Sequence, residues 1–375
     1  MDYTSARRER RGVPFDSAGA PGVFFSPMKA LVLKEYKKLS YEDAADPRPE
    51  PDEVLVEVKA CGICGSDVHG MDGSTGRRIP PVIMGHEASG VIVERGSAVK
   101  PGSGDAWRVG DQVTFDSTVW CGECWYCRRG EVNLCDNRRV LGVSCAEYRR
   151  DGAFARYVAI PQRILYRIPA GVGFDRAAMV EPLSIAFHAV RLARPEVNDV
   201  AVVVGAGMIG LLILQVLKVA GCGQVISADV DPSKLKRALE NGADAALDPQ
   251  VPGFSEQIRE RTSGRGADLA FEAVGVSAAL QTALGSVRKG GRLTLVGNVA
   301  PKVDLALQSA VTREIAMLGS CASQGEYPAC LDLIALGRVR LEALISAKAP
   351  LSEGAFWFDR LYKREPGLMK VILTP

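Results

Sequence analysis

The stretch Val200–Gly221, VAVVVGAGMIGLLILQVLKVAG, joins an all-apolar strand-like run to an apolar helix-like run through three glycines, Gly205, Gly207 and Gly210, in the order GxGxxG. In that context each glycine has a separate physical task. The first permits a tight turn, the second lets the backbone approach a pyrophosphate, and the third allows close packing of helix on strand, with the helix N-terminus facing the anion. The flanking strand and helix are what raise the motif above a cluster of packing glycines. Nineteen residues beyond Gly210, at the end of the apolar run QVISAD, stands Asp229. A carboxylate there accepts hydrogen bonds from ribose hydroxyls and repels a 2′-phosphate, so the pattern predicts NAD rather than NADP. Asp231, just before PSKL, is the competing carboxylate and reads as a helix cap.

Outward from this stretch the same rhythm continues, with PSKLKRALENGA, ADLAFEAVG and LQTALGSVRKGGRLTLVG alternating strand-like and helix-like runs. Such alternation predicts a parallel sheet with helices on both faces. Upstream, from Met28 to about Glu181, short β-type runs broken by glycine and proline (EVLVEVKA, ASGVIVERG, DQVTF, FARYVAI) predict a mostly antiparallel β domain. Downstream of Cys321 come a helix-like YPACLDLIALGRV and a terminal strand, LMKVILTP. The expected fold class is α/β in two domains, one built from 28–183 and 321–375 and the other from 184–320. Residues 1–27 carry an arginine cluster without the apolar run of a secretory signal and read as a disordered extension. Met28 opens MKALVLKEYKKLSYED, read as the first strand of the fold, and is an alternative translation start.

With 375 residues, 47% of them hydrophobic and 24% charged, the chain can bury a core in each of two domains. Lys plus Arg number 46 against 44 Asp plus Glu, and a net charge of +2 gives no electrostatic case for nucleic acid or an anionic membrane. Ten cysteines are too sparse for a disulfide scaffold, and no run is apolar long enough to span a bilayer. A cytoplasmic protein acting on a small molecule is the expectation.

Four of those cysteines crowd into VWCGECWYCRRGEVNLCDN. Cys121, Cys124, Cys127 and Cys135 follow the spacing CxxCxxCx7C and supply four thiolates, the number that closes a tetrahedral structural zinc site. An iron–sulfur cluster uses the same four-thiolate logic, and spacing alone leaves it open. A zinc so enclosed has no position for substrate. A second constellation lies upstream in CGICGSDVHG and VIMGHEASG, where Cys64, His86 and Glu87 offer a thiolate, an imidazole and a carboxylate. Three protein ligands of these kinds bind zinc with one position open, which is the catalytic pattern.

CGICGSDVHG, GHEASG, the four-cysteine lobe, EPLSIAFHAV and VVVGAGMIG occur in an order and spacing that resembles the zinc-dependent medium-chain alcohol dehydrogenases. Within them the chain is similar to the polyol branch, which contains sorbitol, threonine, butanediol and galactitol-1-phosphate dehydrogenases. The resemblance runs from Met28 to Pro375 and implies a GroES-like, mostly antiparallel β catalytic domain beside a doubly wound Rossmann domain. It also implies two zinc ions per chain, NAD, and a secondary alcohol as substrate. Cys64, His86 and Glu87 match the catalytic zinc ligands, and Glu181, in VEPLS, matches a glutamate that binds the zinc-bound water or exchanges onto the metal. Ser66 and His69 match a hydroxyl-to-imidazole proton relay. Lys234 matches a lysine that contacts the ribose, and Gly297 the turn whose backbone holds the nicotinamide amide.

The sequence departs from the family at one informative place. Sorbitol dehydrogenases of the branch carry an Arg-Tyr pair shortly after the glycine matching Gly319, whereas this chain has Ala322 and Ser323. Arg149 and Arg150, in CAEYRRDGAF, are candidates for binding a phosphorylated or acidic polyol, against the commoner role of solvated charge. The remaining histidine, His188, reads as a helix residue packed between the domains. Family precedent implies a homodimer or homotetramer. The rival readings are a zinc-ribbon nucleic-acid binder, which needs clustered basic residues the chain lacks, and a catalytically inactive NAD-binding sensor, in which the open-site ligands need not persist.

Overall fold

Val200–Val204 lies inside a six-stranded, wholly parallel sheet with Gln224–Ala228, Ala245–Leu247, Ala267–Glu272, Val287–Leu295 and Ala316–Gly319. The computed structural model describes residues 27–99 and 106–375, so the expected extension over 1–27 lies, apart from Pro27, outside the described residues. Numbered along the chain within this sheet, the strands run 3-2-1-4-5-6. The order reverses beside Val200–Val204, and a crevice opens there at the carboxyl ends of the strands.

Alternation along the strand divides its side chains between two cores. Ala201 and Val203 pack with the helices Val180–Ala193 and Met208–Val219, while Val202 and Val204 pack with Leu280, Ala283 and Leu284 of the helix Ser277–Ser286. Covered on both faces, the strand has no polar side, which is why it reads as a continuous apolar run. The turn after it needs its glycines. Gly205 has φ of +100°, and a Cβ at Gly210 would stand 1.8 Å from the Gly205 carbonyl oxygen. At Gly207, the N-cap of the following helix, a Cβ would meet nothing within 4 Å.

The other half is a mostly antiparallel sheet centred on Glu53–Gly62, which pairs with Glu87–Arg95 on one side and with Tyr157–Pro161 and Lys370–Thr374 on the other, the one parallel pair being Ile345–Pro350 with Lys370–Thr374. Gln112–Phe115, Leu165–Arg167 and Ile345–Pro350 complete its seven strands. Together the two sheets form the GroES-like and Rossmann architecture expected from the sequence. Residues 28–44 differ from expectation: they form a hairpin, Met28–Glu35 against Lys38–Ala44, turned at Lys37 with φ of +63°. The last segment is shared between the halves. Tyr327, Cys330, Leu331 and Ile334 of the helix Tyr327–Ala335 sit in the core with Val180–Ala193, whereas Lys370–Thr374 returns to the antiparallel sheet.

Two alanine substitutions separate packing from open space in the glycine turn. Gly210→Ala drives a methyl into the Gly205 carbonyl and should lower stability by about 1–3 kcal/mol or more. Gly207→Ala meets no atom and should cost only what alanine loses to glycine as an N-cap, about 0.5–1 kcal/mol. Urea unfolding of both variants checks this, and equal losses would contradict it.

Candidate functional site

Strand register brings the upstream metal donors together. Gly62 pairs with Glu87 across the antiparallel ladder, so Cys64, two residues past the end of one strand, arrives beside His86 and Glu87 at the start of the other. One ligand atom from each of Cys64, His86 and Glu87 lies within 4.8 Å of the others. A glycine is required opposite, because a Cβ at Gly62 would stand 2.4 Å from Glu87 Oε2. A thiolate, an imidazole and a carboxylate at this separation suit zinc, with room for a fourth ligand.

Buried charges around the three donors are matched one by one. Lys370, on the last strand, donates to Glu87 Oε2 and, over 3.0 Å, to the carbonyl of Ile63. Burial pulls the Lys370 pKa down, but the Glu87 carboxylate outweighs it and holds the ammonium charged. Asp67, fully buried, accepts from Arg78 Nη2 at 2.9 Å, and its Oδ1 lies 3.4 Å from His86 Nδ1. Burial alone would raise the Asp67 pKa, yet the His86 and Arg78 charges overcome it and hold the carboxyl at about 2. With Nδ1 facing Asp67 Oδ1 at 3.4 Å, without a hydrogen bond between them, His86 has Nε2 left for a metal. Lys370, Asp67 and Arg78 were absent from the sequence reading. Asp67 stands inside GSDVHG, so its place was visible, whereas nothing local marks Lys370.

Glu181 approaches from the helix Val180–Ala193 but is not one of the three clustered donors. Its Oε1 accepts from Ser117 Oγ at 3.1 Å. Burial raises its pKa to about 7; Glu87 adds to the rise, and His86 and Lys370 oppose it. Next to Ser117, the Asp116 carboxylate accepts from Ser323 Oγ at 3.0 Å. The residues that replace the Arg-Tyr pair thus have a structural task of their own, Ala322 turning with φ of +54° and Ser323 tying its loop to the site.

Ser66 and His69 are both exposed on the short helix Gly65–Gly70 that follows Cys64. Among the described residues no hydrogen bond joins them. Ser66 Oγ lies 3.5 Å from Arg78 Nη2, and His69 lines a cavity of about 440 Å³ with Gly65, Asp72, Tyr362 and Arg364. At the crevice of the parallel sheet, Asp229 Oδ2 accepts from the Ala206 N–H at 2.8 Å and lies 3.8 Å from Lys234 Nζ. Asp231 caps the helix Pro232–Glu240 through the Ser233 N–H, as its sequence position predicts. Gly297 gives its N–H to the Glu272 carbonyl, and a Cβ on it would stand 2.1 Å from Gly275 N. Its free hydrogen-bonding group is therefore the carbonyl. His188 Nδ1 donates to the Glu326 carboxylate over 2.8 Å and its Nε2 lies 3.4 Å from the Asn133 amide nitrogen, so it is a buried, hydrogen-bonded link as well as a packed residue.

The downstream cysteines form a tight nest. Cys121, Cys124, Cys127 and Cys135 bring their sulfurs within 4.8 Å of one another, with Cys121 Sγ 3.5 Å from Cys135 Sγ and 4.0 Å from Cys127 Sγ. A tetrahedron of about 2.3 Å metal–sulfur bonds has corners about 3.8 Å apart, so one ion fits and a multi-iron cluster does not. Backbone N–H groups of Cys121, Cys124 and Cys127 point at Cys135, Cys121 and Cys124 sulfurs over 3.3–3.5 Å, donors that stabilise thiolates. Arg149 and Arg150 are committed elsewhere: Arg149 lies 3.5 Å from Asp151, and Arg150 donates to Glu53 at 2.7 Å.

Comparison with known proteins agrees with this geometry. Residues 50–170 match the alcohol dehydrogenase GroES-like domain, and residues 209–335 match the zinc-binding dehydrogenases. The chain is 36% identical to a sorbitol dehydrogenase of Halalkalibacterium halodurans, over 93% of this chain and 99% of that protein. It is 34% identical to a D-arabitol-phosphate dehydrogenase of Enterococcus avium, over 87% of this chain and 91% of that protein. A solved structure described as a zinc-binding dehydrogenase from Sinorhizobium meliloti, bound to NADP, superimposes with a TM-score of 0.84 at 32% identity, covering 94% of this chain and all of that one.

The Lys370–Glu87 pair makes a sharp demand on the metal-free protein. Lys370→Met strands the Glu87 carboxylate and should cost about 3–5 kcal/mol, most of it recovered in the Lys370→Met, Glu87→Gln double variant. Chemical denaturation of chelator-treated protein measures both; a single variant as stable as its parent would refute the pairing's importance.

Proposed function

The chain belongs to the zinc-dependent medium-chain alcohol dehydrogenases, in their polyol branch, and on that premise we propose that it moves a hydride from the secondary carbinol of a polyol to NAD+, leaving a ketone. The observation that carries the reading is the convergence of Cys64, His86 and Glu87 within 4.8 Å beside the helix that bears Ser66 and His69. When bound, zinc supplies a Lewis acid that lowers the pKa of a hydroxyl, and the nicotinamide accepts the hydride. The protein's own residues do the rest. Cys64, His86 and Glu87 hold the catalytic ion, Glu181 offers a further carboxylate from the facing helix, and Ser66 and His69, both exposed, lead the substrate proton out to solvent.

In the nucleotide half, the open space over Gly207 and the N-terminus of Met208–Val219 receive the pyrophosphate. Asp229, steadied by the Ala206 N–H and by Lys234, still has lone pairs for the ribose hydroxyls and repels a 2′-phosphate. The Gly297 turn faces the nicotinamide amide with its carbonyl. Cys121, Cys124, Cys127 and Cys135 hold a second, structural zinc, giving two ions per chain. Residues 28–183 with 321–375 act as the catalytic lobe and 184–320 as the nucleotide lobe. No helix among the described residues is long and apolar enough to cross a membrane, which suits a cytoplasmic enzyme.

Assembly is read from the sheet edge. Ala316–Gly319 has a free edge, and Leu307 and Val311 stand 63% and 65% exposed on the neighbouring helix, so this side should pair with a second copy. Sedimentation should return a dimer or tetramer; a monomer at micromolar concentration would contradict it.

Zinc-loaded and chelated enzyme, assayed side by side for NAD reduction with sorbitol, xylitol, D-arabitol, 2,3-butanediol and threonine, tests the activity. Zinc-dependent turnover is expected with about two zinc ions per chain. His86→Ala should keep one ion and lose turnover. Failure of every alcohol with both ions bound would overturn the reading. For the cofactor, Asp229→Ala should shrink the preference for NAD over NADP by about tenfold, and a parent enzyme that prefers NADP would refute the role of Asp229.

A further inference from the structure

Three arginines that the sequence did not single out share one cavity. Arg77, Arg138 and Arg139 line a space of about 590 Å³ together with Thr75, Asn137 and Tyr148. Among the described residues none of the three forms a salt bridge, in contrast to Arg78, Arg149 and Arg150, each of which has its own carboxylate. Two carboxylates also border the space, Asp136 and Glu147, the latter held low by a hydrogen bond from the Cys145 side chain. The lining therefore sets three guanidiniums against two carboxylates. Neutral donors add to the cationic side. The Tyr148 hydroxyl accepts from the Val140 N–H at 3.0 Å and the Thr75 hydroxyl accepts from the Arg77 N–H at 3.3 Å, so each retains its own proton to donate.

The cavity has none of the clustered donors in its lining, but each wall is continuous in chain with residues that touch the site. On one, the residue after Arg77 is Arg78, which reaches Ser66 and Asp67. On the other, Arg138 donates to the Asn133 carbonyl and stands 3.0 Å from Cys321 Sγ, at the head of the loop whose Ser323 binds Asp116 beside Ser117 and Glu181. Guanidinium groups outside any salt bridge, although Arg77 is near enough to Glu147 to help hold its carboxyl low, together with hydroxyl donors in a concave site form an arrangement that recognises a phosphate monoester through charge-assisted hydrogen bonds.

We propose that this cavity is the subsite for a phosphate group on the substrate, so that the alcohol oxidised is a polyol phosphate, held by Arg77 and Arg139 with Arg138 behind them. The inference rests on the dehydrogenase reading above and names its substrate class. Free and phosphorylated forms of the same polyols, D-arabitol with D-arabitol 1-phosphate and sorbitol with sorbitol 6-phosphate, provide the test. The phosphate ester should have a kcat/KM at least about tenfold above that of its parent. Arg77→Ala and Arg139→Ala should each reduce that ratio by about tenfold, a change that a general loss of structure, lowering both forms alike, would not produce. Inorganic phosphate should compete with the ester, and Arg149→Ala, a control outside the cavity, should leave the ratio where it was.

Turnover of the free polyols with no advantage for their esters would overturn this inference and leave the dehydrogenase reading intact. So would a ratio untouched in both arginine variants, or preferential oxidation of a polyol carboxylic acid. Should neither form be oxidised, calorimetric titration with inorganic phosphate still decides: binding that is lost in Arg77→Ala supports the subsite, and absence of binding to the parent protein refutes it.

Discussion

Burying Glu87 beside a metal-donor histidine requires a cation at contact distance, and the chain supplies Lys370 from its last strand. That ammonium cannot be brought there without pairing Lys370–Thr374 to Glu53–Gly62, with Ile372 opposite Gly62 and Leu373 opposite Cys61. The same central strand, through its pairing with Glu87–Arg95, delivers Cys64 to His86 and Glu87. One strand thus fixes the donors on one side and the counter-charge on the other. The rest of the site is added to this frame: Asp67 faces His86, Arg78 neutralises Asp67, and Ser117 holds Glu181.

Legibility in the sequence followed the range of the interactions. The glycine turn was readable because Gly205 and Gly210 meet within one turn of chain, and the four-cysteine lobe because its ligands lie within fifteen residues. Asp231 as a cap is likewise local. Cys64, His86 and Glu87 could be named by residue type and by resemblance, yet their approach depends on strand register, which no spacing states. Lys370 is 283 residues from Glu87 and was invisible. Adjacency misdirected the reading of Arg149 and Arg150: as a pair they suggest an anion site, but Arg150 finds Glu53, 97 residues earlier. The unpaired arginines come from two stretches of sequence, Arg77 from one and Arg138 with Arg139 from the other, and become a group only when folded. The hairpin over 28–44 was missed because its turn, at Lys37, lacks the glycine or asparagine that usually marks positive φ.

Ser117, Asp116 and Ser323 tie the chain that has just left the parallel sheet to the site. The Asp116–Ser323 bond spans 207 residues and ties the loop after Gly319 to the strand region that carries Ser117. Burial raises the Asp116 carboxyl to about 6, with the Thr118 N–H and Ser323 opposing the rise. The loop after Gly319 is therefore joined to Glu181 through Asp116 and its neighbour Ser117, whose hydroxyl donates to the Glu181 carboxylate.

The return of Lys370–Thr374 also imposes an order on synthesis. All six parallel strands have been translated once Gly319 is made, and the helix Tyr327–Ala335 that completes one of their cores follows soon after, so their side of the protein can fold while the ribosome is still at work. The antiparallel half, although its first strand begins at Met28, lacks one pairing partner for Glu53–Gly62 and the counter-charge for Glu87 until Lys370–Thr374 has been made. The half made first is the half completed last. A chain cut short of Lys370 would keep all six parallel strands beside an antiparallel sheet with no cation for Glu87.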